Sequence, residues 1–130
     1  MAHIKSVQSA CVPTPASAYS QCIEARGDRT VFISGQVPVT AEGELVGDGD
    51  IRAQATQVFE NIKALVEQAG GSMSNIVKLT IFLTDIAHFG EFAQVRSRYL
   101  QEPYPAASLV QVAGLVSPDW LVEVEAIAVL

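Results

Sequence analysis

The sequence predicts an α+β fold: a two-layer sandwich of a mixed β-sheet with two helices on one face. Three observations carry this. Ile51 to Ala69 repeats apolar residues at spacings of three and four, the period of an amphipathic helix. Alternating strands stand on both sides of it, in the order ββ-α-β-α-ββ, and strands that alternate with helices make a sheet covered by those helices. The 130 residues are 49% hydrophobic and 17% charged, enough apolar side chain for one core, so a single domain over 1–130 is expected.

The elements follow in order. Ile4 to Val7 reads as an additional first strand. Thr14 to Ala18 is a Pro/Ala/Ser loop. Gln21 to Arg26 reads as a strand, Gly27-Asp28 as a tight turn and Thr30 to Ser34 as its hairpin partner. Gly35, Pro38, Gly43, Gly47 and Gly49 then punctuate a polar loop. Asp50 is a good N-cap for the first helix because its carboxylate can accept from the free N–H groups there. Gly70-Gly71 supplies the left-handed stop. Asn75 to Thr84 is a strand with Val77, Leu79, Ile81 and Leu83 on one face and Lys78, Thr80, Phe82 and Thr84 on the other. Asp85 caps a second helix from Ile86 to Leu100. Ala107 to Val112 and Leu121 to Val129 are the last strands, joined by a turn around Gly114, Ser117 and Pro118.

Composition excludes several classes. Net charge is −6 and the eight Lys and Arg are scattered, without the basic stripe expected of a nucleic-acid or membrane-surface binder. No apolar run approaches the length of a membrane span, and no apolar leader opens the chain, so a cytoplasmic location is expected. Cys11 and Cys22 have no metal-ligand spacing and no nearby His, and they read as two reduced thiols. The P-loop, GxGxxG, GxSxG and HExxH patterns are absent. The small charged fraction leaves apolar surface for partner subunits to cover, which points to an obligate oligomer.

Two features could carry chemistry. Residues two apart in a strand point the same way, so Glu123 and Glu125 share a face with Leu121, Ile127 and Val129, while Val122, Val124, Ala126 and Ala128 face the core. A carboxylate among apolar groups suits general acid/base work; the alternative is a pair of solvated glutamates. On a helical wheel Arg96 lies in the middle of an apolar arc with His88, Phe89, Phe92, Val95 and Tyr99. A guanidinium there needs an anion, because a lone buried charge is costly. Glu123, Glu125, a neighbouring subunit's carboxylate or a ligand carboxylate would serve. Tyr19 can project a hydroxyl into a pocket or simply pack. The Ser34-Gly35-Gln36 backbone is a weak candidate for an anion nest.

Six stretches together resemble the YjgF/RidA family of enamine and imine deaminases. They are Ala18-Tyr19-Ser20-Gln21, Phe32 to Pro38 with its Ser34-Gly35-Gln36, Gln54 to Gly70, Val77 to Asp85, Tyr104-Pro105-Ala106, and Val122 to Val129. The resemblance spans essentially the whole chain. It implies a chorismate-mutase-like fold, a homotrimer with a central barrel, and three pockets at the subunit interfaces. It implies hydrolysis of 2-aminoacrylate and related small-molecule substrates to 2-keto acids and ammonia, with no metal or organic cofactor. It assigns the water-activating role to Glu125 and pocket-lining roles to Tyr19, Ser34 and Gly35. The family's carboxylate-binding arginine falls at Ala107, and a small or sulfur residue falls at Leu109. Both departures imply a shifted substrate, with Arg96 as the candidate replacement anchor. The alternatives are a non-catalytic ligand-binding or regulatory trimer and, least supported by the charge pattern, an endoribonuclease or translation inhibitor.

Overall fold

A computed structural model describes residues 2–130. Six strands and two helices are present: β1 (His3–Val7), β2 (Cys22–Arg26), β3 (Thr30–Gln36), α1 (Ile51–Gln68), β4 (Ile76–Leu83), α2 (Phe89–Tyr99), β5 (Ala106–Gln111) and β6 (Val122–Val129). The main sheet has the order β3-β6-β4-β5, antiparallel except for the β4–β5 pair, which α2 joins as a crossover. Both helices cover one face. Ile33, Leu79, Ile81, Leu83, Val122, Val124, Ala126 and Ala128 meet Val58, Phe59, Ile62, Val66, Phe92 and Val95 there in a single core cluster. The α+β sandwich expected from the sequence is the observed one.

The helices begin where their caps put them. Asp50 Oδ1 accepts from the backbone N–H groups of Arg52 (3.0 Å) and Ala53 (3.2 Å), and Gly70 closes the far end of α1 at φ +99°. Asp85 caps a single 3-10 turn, Ile86–His88, so regular α-helix begins only at Phe89. The wheel still holds, with Phe92, Val95 and Arg96 buried. A polar residue ties the layers together. Gln54 is fully buried on α1, donates to the carbonyls of Gly47 (3.0 Å) and Asp119 (2.9 Å), and accepts from the Leu121 N–H (2.7 Å). That amide fixes the loop before α1 to the entry of β6.

Two strand expectations are corrected. A register shift between Ile76 and Lys78 puts Ile76, not Val77, into the core at the start of β4. The expected β2–β3 hairpin does not form. β2 instead pairs antiparallel with β1 in a separate two-stranded ribbon, with Lys5 opposite Glu24, and β3 pairs only with β6. The physical reason lies at the two ends of β2. Ser20 is held against β5, its N–H donating to Pro105 O (3.0 Å) and its backbone bridging Ala106. The Asp28 and Arg29 N–H groups donate to Leu130 O (2.8 and 3.0 Å). The segment between is thus stretched from one edge of the sheet to the other, and β2 cannot lie along β3.

Candidate functional site

The predicted site residues fall into two groups on opposite faces of the sheet. The first group surrounds Arg96. On β5, Ala107 and Leu109 stand in register with the core residues Leu79 and Ile81, so they face the helix layer. α2 brings Phe89 and Arg96 over them, and the loop before β2 adds Ser17 and Tyr19. These six residues line a cavity of about 140 Å³. Counting about 30 Å³ per water, it has room for four or five waters or a carboxylate of three to four carbons.

Arg96 is only 3% exposed. Its Nη2 donates to Ser17 Oγ at 2.8 Å, and its guanidinium carbon sits 5.8 Å from the centre of the Phe92 ring. Its Nε is buried without a partner. Burial draws its pKa below the ordinary guanidinium range, and the nearby Tyr19 hydroxyl opposes that shift. Of the carboxylate partners weighed for it, the two within the chain, Glu123 and Glu125, do not reach it. Glu123 and Glu125 alternate with Val122, Val124 and Ala126, which face the helices, so both acids stand on the other side of the sheet. The ion pairs among the described residues are Lys5–Glu24 and Arg52–Glu91. The cavity therefore holds a cation donor whose one polar partner is a neutral hydroxyl.

The second group lies on the open face. β3 and β6 pair Ile33 with Ala126 and Gln36 with Val124, so a bulge sets both Ser34 and Gly35 against Glu125. Glu125 is exposed and Glu123 half-buried. Gly35 lets the Glu123 carboxylate lie close against the strand: a Cβ there would meet Glu123 Oε2 and push that side chain aside. The anion nest weighed for Ser34-Gly35-Gln36 is not formed, because the segment is extended strand and Gly35 has no positive φ. Its value is steric instead. α1 holds the far end of this group, with Asn61 Nδ2 donating to the carbonyls of Val37 (3.2 Å) and Val39 (3.0 Å).

Within one chain the two groups do not meet. Glu125 is on β6 and Ala107 on β5, two strand spacings apart or about 10 Å, and on opposite faces. Tyr19, Arg96, Ala107 and Leu109 are brought together; Ser34, Gly35 and Glu125 are brought together elsewhere. Sequence reasoning weighed Glu123 together with Glu125 and missed Ser17 and Phe89 as site residues. Phe89 carried a signal, being on the Arg96 arc. Ser17, in an irregular loop, carried none. Among the described residues no group of three or more His, Cys, Asp or Glu is placed to hold a metal ion, and no helix is long and apolar enough to cross a membrane.

Residues 10–130 match the family model described as endoribonuclease L-PSP. The chain is 36% identical over 124 residues to a 2-iminobutanoate/2-iminopropanoate deaminase of Dermatophagoides farinae, covering 95% of this chain and 94% of the relative. Among solved structures, the Rid-family protein YyfB of Yersinia pestis superposes with a TM-score of 0.89 at 31% identity over 98% of each chain. RidA of an Antarctic Psychrobacter is more similar in sequence, at 41%, yet superposes at 0.74 over 97% of this chain and 99% of that one.

Proposed function

The chain belongs to the endoribonuclease L-PSP family, that of the YjgF/RidA proteins, and from that premise we propose that it is a deaminase hydrolysing a small enamine or imine carboxylate to a keto acid and ammonia. The observation that carries the reading is the orphaned, buried Nε of Arg96 in a cavity of carboxylate size. In this reading Arg96 binds the substrate carboxylate in place of the arginine absent at Ala107, and Tyr19, Ala107 and Leu109 bound its short apolar part. The naming of the Dermatophagoides farinae relative supports the reaction class.

Catalysis needs a base that the Arg96 cavity does not contain within one chain. The reading therefore places Ser34, Gly35 and Glu125 of a neighbouring copy opposite Arg96, in a homotrimer with three interface sites. The open sheet face is suited to association, since Phe32 is 76% exposed and Val110 47% exposed. Glu125 takes a proton from water as the oxygen attacks the imine carbon. The protonated Glu125 gives that proton to the imine nitrogen, completing the neutral carbinolamine; its carboxylate then takes the carbinolamine's hydroxyl proton and passes it to the amine as the C–N bond breaks, so ammonia leaves and the keto acid stays behind. Net, one water adds and one ammonia departs.

The test is release of ammonia and keto acid from 2-aminoacrylate or 2-iminobutanoate generated in situ, against the spontaneous rate. Acceleration is expected, with a loss of about 100-fold or more in Glu125→Ala. Full activity in Glu125→Ala would sink the catalytic assignment. A second reading is favoured by Ala107, which removes a charge from the pocket: a ligand-binding protein without turnover. Saturable thermal stabilisation by 2-keto acids with no product would select it. Ribonuclease action has the least support, given a net charge of −6 and scattered basic residues.

A further inference from the structure

A second recess lies on the helix side of the molecule, away from the open sheet face and from the Arg96 cavity. The last turns of α1 and α2 form two of its walls, and the turn over 72–75 forms the third. Its volume is about 370 Å³, and its lining includes Lys63, Glu67, Ser74, Arg98, Tyr99 and Gln101. At about 30 Å³ per water it has room for about twelve, more than a lone inorganic anion fills.

Contacts within the chain fix these walls. The Ser72 N–H donates to Asn75 Oδ1 (2.9 Å), the Asn75 N–H donates to Ser72 O (2.9 Å), and Asn75 Nδ2 ties the turn to Val129 O on β6 (2.9 Å). Opposite, Tyr99 stacks on Phe59 with ring centres 5.2 Å apart and donates to Glu60 Oε2 at 2.7 Å. Leu100 is buried and anchors the end of α2. The recess is therefore preformed, and a ligand loses little in ordering it.

Lys63 and Arg98 stand in it without a partner. Of the other six basic residues, Lys5 and Arg52 form ion pairs, and Arg29, Lys78 and Arg96 donate to oxygens of Ala69, Ser108 and Ser17. Among the described residues neither Lys63 nor Arg98 has an ion pair or a hydrogen bond of its side chain. Glu67 is one turn beyond Lys63, the weaker order for a helical pair. The carbonyls at the end of α1 do not occupy the two cations either. Those of Leu65, Val66 and Glu67 accept from the N–H groups of Ala69, Gly71 and Gly70, and that of Ala69 accepts from Arg29. Arg98 is close enough to the Tyr99 phenol to oppose the rise in its pKa. Solvated cations on a helix surface are ordinary; here two from different helices line one preformed recess.

The lining selects a ligand by charge and hydrogen bonding. Two cations against one carboxylate favour a dianion, and an arginine fork beside a lysine point charge suits a phosphate monoester. Ser72 Oγ and Ser74 Oγ are 2.7 Å apart, so one hydroxyl proton joins them and the other is free for a phosphate oxygen. Glu67 would repel a second anionic group but accepts from a hydroxyl, and Gln101 can donate or accept. The space beyond the phosphate thus fits a hydroxylated body.

We propose that this recess binds a hydroxylated phosphate monoester of the sugar-phosphate class, its phosphate on Lys63 and Arg98 and its hydroxyls against Glu67 and Gln101. The inference does not depend on the deaminase reading, and its test reads no activity.

The test is a titration of glucose 6-phosphate into the ¹⁵N-labelled full chain in its assembled form, at physiological ionic strength. Saturable amide shifts are expected at 63–67, 72–75 and 98–101. Lys63→Gln and Arg98→Gln, both at exposed positions, should each weaken binding about tenfold with the circular dichroism spectrum unchanged. Arg96→Met should bind as the wild type does, glucose should not bind, and inorganic phosphate should bind more weakly. Absence of saturable shifts, or shifts confined to Ser17, Tyr19 and Arg96, would overturn the site. Unchanged affinity in Lys63→Gln/Arg98→Gln would overturn the phosphate assignment. Inorganic phosphate binding as tightly as the sugar phosphate would overturn the role given to Glu67 and Gln101. The shift map is read on the unmodified protein, so it decides even where a variant fails to fold.

Discussion

Replacing Arg96 with methionine should make the protein more stable while weakening carboxylate binding. The perturbation removes a guanidinium that is 3% exposed and has no anionic partner within the chain. Withdrawing such an ion from water costs several kcal/mol after relaxation. Against that stand one hydrogen bond to Ser17 at 2.8 Å and a contact with the Phe92 ring at 5.8 Å. The bond is worth about 1.5–3 kcal/mol, and the ring contact about 0.5–2 kcal/mol. Methionine keeps the apolar stem and fills the arc beside Phe92 and Val95. The expected balance is a gain of about 1–3 kcal/mol, within the range seen when buried ions give way to apolar side chains. For a chain of this size each kcal/mol moves Tm by about 3–4 °C, so a rise of about 3–12 °C is expected. Thermal and urea unfolding at neutral pH measure it, with pyruvate or 2-oxobutanoate titrated into both proteins. Wild-type stabilisation by the keto acid should vanish in the variant. A loss of more than about 1 kcal/mol in the ligand-free variant would refute the reasoning, because it would mean that another copy's carboxylate already pairs with Arg96.

Three further outcomes are expected. Gly35→Ala places a methyl against Glu123 Oε2, so Glu123 must swing away; the deaminase rate should fall about tenfold or more with the circular dichroism spectrum unchanged, and an unaltered rate would separate Gly35 from the site. Gln54→Leu strands the Gly47 and Asp119 carbonyls and the Leu121 N–H, and at about 1–3 kcal/mol for each abandoned partner urea unfolding should show a loss of about 3–5 kcal/mol after partial relaxation. Burial and the bond to Glu60 (2.7 Å) raise the Tyr99 phenol to about 12. Its folded pKa thus lies above the ordinary value near 10, so its contribution is complete below pH 10 and lost as pH rises towards 12. Tyr99→Phe should flatten that part of the stability profile, and an identical alkaline decline in both proteins would exclude the assignment.

Much of the architecture was legible because it rests on local rules. Asp50 and Asp85 cap where short acceptor side chains belong, Gly70 ends α1 where a left-handed residue is needed, and the alternation in β6 separates Val122, Val124, Ala126 and Ala128 from Glu123 and Glu125. The same periodicity marked Arg96 as a charge in an apolar stripe. The start of β4 was not legible, because a bulge of one residue exchanges Ile76 for Val77 in the core without any trace in composition.

The sequence by itself determined the helices, the strands and most of the core faces, since those follow from side-chain period and cap chemistry along a contiguous stretch, and the family through the resemblance of six separate stretches. Only the tertiary structure decided what Arg96 touches. It sits behind the sheet from Glu125, against a serine brought from 79 residues away. It also decided the seat of β2, where the turn in the sequence favoured β3 and the chain lies across the sheet end instead. Both outcomes turn on long-range backbone bonds, from Ser20 to Pro105 and from Asp28 to Leu130. Such bonds join residues whose local patterns say nothing of each other, and their balance against a local hairpin is set by the whole packed chain.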